Sequence, residues 1–215
     1  MSNVLLLGAR ERIADRLRHF RQGDPIYLQD DTVLEVLEGV VSLTAFHADG
    51  AAVLLGLFGP GQLLPGHPAA GCAIELVAHT EAEVRMHPWS EALRRPELME
   101  RLRCRLRQME AWASMQAHPH LEQRLLGILG LLAGLFGKPH PRGLLIDVRL
   151  THAQLASAAR GTRATVTRLL SRLRRRGLLA VVRGAMGGRF CLPGRSSEPA
   201  DCAIRHRPPA GVPLD

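Results

Sequence analysis

The amino-acid sequence predicts an α+β fold in three parts: an antiparallel β-roll or barrel, a long helix with a narrow apolar stripe, and a small domain ending in two helices and a Gly-rich hairpin. Three observations predict it. Short apolar runs recur at intervals of roughly 8–12 residues between residues 24 and 86, punctuated by Asp-Pro, Asp-Gly and Gly-Pro-Gly turns. Apolar residues at spacings of four and three then mark a long helix. Finally, charge segregates: residues 1–148 carry 15 basic and 17 acidic side chains, whereas 149–189 carry ten Arg and no Asp or Glu.

A chain of 215 residues, 46% hydrophobic and 22% charged, suffices for one large domain or two modest ones, and this composition excludes wholesale disorder. The net charge of +8 resides in one 41-residue stretch. That is the footprint of a polyanion-binding module beside a near-neutral partner, although an anionic membrane surface would attract the same charge. Lys138 is the only lysine against 27 Arg, a skew that reflects genomic base composition more than function.

Cys72, Cys104, Cys191 and Cys202 are far apart and form no C-x-x-C pair, so they read as reduced structural thiols rather than metal ligands. His67, His79 and His87 follow no ligand spacing, and no metal site is expected. Only four consecutive apolar residues precede Gly8, too few for a signal sequence, and no run approaches the ~18 residues of a membrane span. A soluble, cytoplasmic protein is expected. No nucleophile–base arrangement, P-loop or dinucleotide fingerprint is visible, so an enzyme is not expected.

Taken in order, residues 10–19 read as a short amphipathic helix, with Ile13 and Leu17 at i, i+4 spacing. Strands are expected at Ile26–Leu28, Val33–Leu37, Val40–Phe46, Val53–Phe58, Ile74–Ala78 and Glu83–Met86, with Asp49-Gly50 turning a hairpin. Trp89–Arg94 is a short helix, and Pro96 opens a longer one to about Ala117. Its stripe, Leu98, Leu102, Leu106, Met109 and Ala113, is narrow enough for a coiled-coil seam; packing on its own roll is the alternative. His118-Pro119-His120 makes a hinge, and Leu121–Phe136, apolar nearly all round, a buried helix. Residues 137–143 read as a loop, Leu144–Val148 as a strand, and the proline-rich residues 193–215 as a disordered tail.

The segment 150–179 carries the functional signal. Thr151 caps a short helix with Leu155 and Ala156 facing inward, Gly161 supplies a turn, and Thr162 caps a second helix. That helix buries Val166, Leu169, Leu170 and Leu173 and exposes Arg163, Ala164, Thr167, Arg168, Ser171, Arg172 and Arg175. Two helices joined by a tight turn, the second lined with Arg, form a helix-turn-helix. Leu178–Val182 and Arg189–Leu192 flank a Gly-rich tip, a wing able to approach DNA phosphates.

At these residues the chain resembles the CRP/FNR family of bacterial transcription regulators. The resemblance spans about residues 24–192 and is strongest in 118–179, above all at Gly161-Thr-Arg-Ala-Thr-Val-Thr-Arg-Leu-Leu170; Leu37–Leu43 and Asp49-Gly50 carry it in the roll. It implies a double-stranded β-helix of the cyclic-nucleotide-binding jelly-roll type (1–95), a dimerisation helix (96–117) and a winged helix-turn-helix (118–192), followed by the tail (193–215). The helix-turn-helix, together with Pro139–His152, is most similar to the cyanobacterial global nitrogen regulators.

The resemblance also implies roles. Arg163 would sit over guanine O6/N7 and Arg168 would be a second base reader. Where many members carry Glu, this chain has Ala164, which can touch only apolar groups such as a thymine methyl; Thr167 shares that face. Arg172, Arg175, Arg183 and Arg189 would clamp phosphates. Thr162, Gln154 and His152 would add neutral backbone contacts or serve only as caps and surface groups. A homodimer on a palindrome, of the GTA…TAC kind, follows, with RNA polymerase as partner and a role linked to nitrogen or carbon status, as activator or as repressor. The alternatives are an effector-independent regulator, one answering sulfur or another nutrient, and a nonspecific nucleic-acid-binding protein.

In the cyclic-nucleotide cassette of such rolls a Glu binds ribose and an Arg the phosphate. Here Gln62 stands at the Glu position and Cys72-Ala73 near the Arg, so cyclic AMP is not expected. The nitrogen regulators bind 2-oxoglutarate with an Arg and a Glu on the long helix, matched by Arg105 and Glu110. The roll offers no counterpart of their second Arg. An ordinary surface pair, or a regulator with no ligand, is the other reading of Arg105 and Glu110.

Overall fold

The computed structural model describes residues 16–66, 73–184 and 187–194. Eight strands come first: β1 (Arg16–Phe20), β2 (Pro25–Ile26), β3 (Thr32–Glu38), β4 (Val41–Phe46), β5 (Ala52–Phe58), β6 (Leu63–Pro65), β7 (Ala73–Ala78) and β8 (Ala82–Pro88). They pair antiparallel in two four-stranded sheets, ordered β1-β8-β3-β6 and β2-β7-β4-β5. Leu34, Val36, Val41, Leu43, Phe58, Leu64 and Val84 fill the space between them. This is the expected jelly roll.

The strand β3 is buried on both faces, because helices cover the side that a two-sheet roll would leave wet. Val33 packs with Leu63 and with Ala92 and Leu98 of α1 (Trp89–Ala92) and α2 (Leu98–Ala117). Glu35 lies on the same face, 3% exposed. Arg101 pairs with it, Arg95 donates to it at 3.2 Å, and His87 Nε2 stands 3.5 Å away. Burial would raise this carboxyl, but the hydrogen bond and charge of Arg101, aided by Arg95 and His87, hold it below the ordinary carboxylate range.

Beyond α2, α3 (Leu121–Phe136) leads to the hairpin β9 (Gly137–His140) and β10 (Gly143–Ile146). Then come α4 (His152–Ala158), α5 (Arg163–Arg175), β11 (Ala180–Gly184) and β12 (Gly187–Leu192). A third sheet has the order β11-β12-β10-β9. One continuous core joins Leu54 and Leu57 of the roll, Trp112 of α2, Leu125, Ile128, Leu129 and Leu132 of α3, and Leu155, Val166, Leu170, Leu173 and Phe190.

Three expectations need correction, and one strand is unforeseen. Residues 16–20 form a strand, not the end of a helix: β1 pairs with β8 from Arg16↔Met86 to Phe20↔Ala82, and five ladder positions outweigh a stripe of two apolar residues. The expected loop at 137–143 is largely strand β9, because Gly143, at φ +125°, closes a tight turn into β10. The three-residue strand β6, too short to signal itself, pairs with β3. Leu98 is not on the outer stripe of α2; it is buried under the roll, and Met99, 74% exposed, stands at the head of the stripe instead. Residues 10–15 with Ile13, His67, Cys72, the wing tip at 185–186 and the tail from 195 lie outside the described residues.

The Glu35 cluster makes stability pH-dependent with a definite sign. A carboxyl whose folded pKa is depressed contributes stability above its unfolded pKa, and this is lost as pH falls through the folded value. Removing one partner of a buried pair costs about 3 kcal/mol. Glu35→Gln should therefore lower unfolding free energy most at neutral pH, with the gap to the parent protein narrowing below pH ~4. Chemical denaturation across pH 3–7 checks this; a gap independent of pH would refute it.

Candidate nucleic-acid interface

The site is built on α4 and α5. Thr151 opens α4 with a capping box: its hydroxyl accepts from Gln154 N at 3.1 Å, and Gln154 Oε1 accepts from Thr151 N at 2.9 Å. The turn that follows takes its left-handed residue from Arg160 (φ +52°) rather than from Gly161. Gly161 has ordinary φ and makes room for α3: a Cβ there would meet Leu121 Cδ1 at 2.9 Å, and the Leu121 side chain would have to shift. Thr162 then caps α5 by accepting from Thr165 N at 3.2 Å.

The helix α5 turns Val166, Leu170 and Leu173 into the core, with Leu169 half-buried. Its opposite side exposes Arg163, Ala164, Arg168, Ser171, Arg172 and Arg175, with Thr167 half-buried at the margin. No carboxylate occurs on α4, α5, β11 or β12. The nearby acids come from outside that stretch. Glu122 of α3 pairs with Arg172 and Arg176, and Asp147 pairs with Lys138 and Arg189. Burial would raise the Glu122 carboxyl, but hydrogen bonds from Arg176 and Arg172 outweigh it and hold the group low.

The sequence-predicted site residues thus divide in three. Arg163, Arg168, Arg175 and Arg183 are exposed and carry no ion pair among the described residues. Arg172 and Arg189 already hold carboxylates. Gln154 faces the roll: beyond its capping bond, Nε2 donates to His79 Nδ1 at 3.3 Å, while His79 Nε2 donates to Arg149 O at 2.8 Å. Burial pushes the His79 imidazole down, opposed by that carbonyl bond.

Sequence reasoning missed two neighbours. Arg142, from the β9–β10 turn, and Arg174 join Ser171, Arg175 and residues 179–181 around an open groove of about 530 Å³. Arg142 is only seen to belong here once the hairpin folds it against α5, so no local sequence pattern announces it.

A second cleft, of about 100 Å³, lies between roll and α2. Gly59–Leu63, Arg101, Cys104, Arg105, Gln108, Leu135 and Phe136 line it. The Arg105 guanidinium stacks 4.3 Å from the centre of the Phe58 ring, and its Nε finds no acceptor among the described residues. Burial pushes its pKa down to about 10. Gln62 accepts from Gly59 N and donates to Gln108 at 2.6 Å, bridging roll and helix. Glu110 is exposed and does not line the cleft.

Glu122 competes with any polyanion for Arg172 and Arg176. Glu122→Gln should therefore raise affinity for random-sequence duplex DNA several-fold, and steepen the salt dependence by about one phosphate contact. Fluorescence anisotropy over a salt series reads both; an unchanged slope would count against it.

Comparison with known proteins agrees with this geometry. The Crp-like helix-turn-helix domain family matches residues 123–191. The global nitrogen regulator of Synechococcus elongatus is 31% identical over 200 residues, covering 83% of this chain and 90% of that protein. The regulatory protein CysR of the same organism is 31% identical over 159 residues, covering 68% and 71%. Among solved structures, a CRP-family transcriptional regulator from Thermus thermophilus superposes with a TM-score of 0.66 at 25% identity, covering 82% of this chain and 91% of that one. A jelly roll, a long helix and an arginine-faced helix-turn-helix, carried by a sequence with these relatives, identify the chain as a member of the CRP/FNR family of DNA-binding transcription regulators, not an enzyme.

Proposed function

We propose that the protein binds a palindromic operator in double-stranded DNA as a homodimer and acts there with RNA polymerase as an activator, in the cytoplasm. The observation that carries this is the exposed face of α5, where Arg163 and Arg168 flank Ala164 without a compensating carboxylate. The functional units are taken as a sensor roll at 1–95, a dimerisation helix at 96–117, the DNA-binding domain at 118–192 and the tail at 193–215.

Dimerisation is supported by α2. Met99, Leu102, Leu106, Met109 and Ala113 recur at alternating spacings of three and four, and Leu106 and Met109 are at least half-exposed. That is the a/d pattern of a two-helix seam. A two-fold axis along it would set two α5 helices on successive major grooves, roughly 34 Å apart. Arg163 and Arg168 then read bases. Arg175 and Arg183 hold phosphate with Arg142 and Arg174, joined by Arg172 and Arg189 when a phosphate displaces their carboxylates. Ala164, a small apolar group at the base-reading position, favours GTA…TAC half-sites, and likeness to the global nitrogen regulators favours control by nitrogen or carbon status. Thr162, His152 and Gln154 are taken as caps and supports rather than independent readers, while Thr167 stands beside Ala164 on the base-facing side of α5.

Arg105 in the cleft is the group that would hold an anionic effector such as 2-oxoglutarate. A second reading, a regulator needing no small ligand, is favoured by Glu110 lying outside the cleft and by Arg101 being held by Glu35.

Arg163→Ala should cost ~1–3 kcal/mol on the operator and leave salt-sensitive binding to scrambled DNA intact. A gel-shift titration with GTA…TAC and scrambled duplexes measures it, and undiminished selectivity would refute the base-reading role. For the effector, 2-oxoglutarate should tighten operator binding by the parent protein and not by Arg105→Ala, while cyclic AMP affects neither. A parent protein indifferent to 2-oxoglutarate would favour the ligand-free reading.

A further inference from the structure

Thr167 lies on α5 between Arg163 and Arg168, and its hydroxyl is engaged twice. Oγ1 stands 2.8 Å from the Arg163 carbonyl oxygen and 2.9 Å from His152 Nδ1. Two oxygens at hydrogen-bond distance need a proton between them, and a carbonyl has none to give. The Thr167 hydroxyl therefore donates to Arg163 O, the back-bond that threonine makes to residue i−4 within helices. His152 must then be the donor of the second bond, which places the ring proton on Nδ1. The same imidazole lies against Phe190 of β12, with ring centroids 6.5 Å apart and planes 30° from parallel. One ring at the first turn of α4 thus touches both the recognition helix and a wing strand.

We propose that His152 is a positioning residue for base recognition: it holds Thr167 with the hydroxyl turned into the protein, so that the side chain meets DNA through its methyl, beside the methyl of Ala164. This rests on the reading of α5 as the recognition helix. A threonine whose only proton is committed cannot donate to guanine O6 or N7, or to thymine O4. What remains between Arg163 and Arg168 is a pair of small apolar groups, a surface suited to the thymine C5-methyl. Without the imidazole, the Thr167 rotamer is held by one bond, and its hydroxyl can turn to offer a proton to a base.

The test is in vitro selection from a randomised duplex pool with the full-length protein, His152→Ala and His152→Asn, followed by affinity titrations. Asparagine places an amide N–H close to where Nδ1 stands. The parent protein should select a palindrome with thymine fixed at one position of each half-site. His152→Ala should relax that position and lower the ratio of operator to random-DNA affinity about tenfold, with random-DNA binding and its salt slope unchanged. His152→Asn should restore most of the ratio. Replacing the selected thymine by uracil should weaken the parent protein and scarcely affect His152→Ala. In a Thr167→Val background, which has no hydroxyl to hold, adding His152→Ala should change the base preference no further.

An unaltered motif and ratio in His152→Ala would overturn the proposal. So would a parallel loss of operator and random-DNA binding, a failure of asparagine to rescue, or a His152→Ala effect that persists with Thr167→Val. A parent protein that selects no bounded motif would bring down the recognition-helix reading together with the proposal, an outcome distinct from those four.

Discussion

The geometry of the DNA-binding surface depends on how α4 is fastened to the roll. β5 is the edge strand of its sheet, so one of its sides has unpaired backbone groups that need partners. Ser157 of α4 supplies them: its hydroxyl accepts from Leu54 N at 2.8 Å and donates to Ala52 O at 2.8 Å. Gln116 Nε2 of α2 donates to Ala158 O at 2.9 Å, and Trp112 Nε1 to Leu54 O at 3.3 Å. Helix and strand from three regions of the chain converge on this edge. Leu54 and Leu57 then continue into the core formed by α3. The helix α5 is held relative to the roll through α4, against which it packs, and through the core that both share with α3.

The acid-free segment has a consequence for how that surface is kept in order. Ten arginines without a local carboxylate repel one another in the absence of DNA. The fold places Glu122 and Asp147 at two margins of the surface, each taking two cations. The middle of α5 receives no such relief. Among the described residues, Arg163 and Arg168 in the first half of α5 and Arg174 and Arg175 at its end are left without a carboxylate partner.

The amount of this that can be read from sequence follows the range of the interaction. Caps are local: Thr151 and Thr162 announce their helices because the partner is three residues away. The helix α3 is visible because an apolar stretch of that length has little choice but burial. Likewise the exposed side of α5 follows from helical periodicity alone. What escapes depends on partners distant in the chain. Nothing near residues 16–20 says that β8 will take them as a strand, and nothing near Glu122 says that Arg172, 50 residues on, will reach it. Leu98 fits the outer stripe of α2 by spacing, and only the position of Val33 and Leu63 decides that it turns inward. The cleft shows the same limit. Arg105 could be picked from its helix, whereas Arg101, one turn before it, is seen to line the cleft only when the roll is in place.

Exposure decides which of the arginines that already hold carboxylates can still serve a ligand. Arg172 is 51% exposed against an 18% exposed Glu122, and Arg189 38% against Asp147 at 20%. Ion pairs at that level of solvation are worth ~1 kcal/mol or less, because water and salt screen both partners. A phosphate can replace such a carboxylate at little cost, so these pairs orient Arg172 and Arg189 without making them unavailable to a polyanion. Arg101 is in the opposite situation. Its side chain is 15% exposed and Glu35 only 4%. Pulling Arg101 away would leave a buried carboxylate short of its main partner, a cost of several kcal/mol. Although both arginines line the cleft, Arg101 is committed to Glu35, and Arg105 is the cation that an anion entering there would meet.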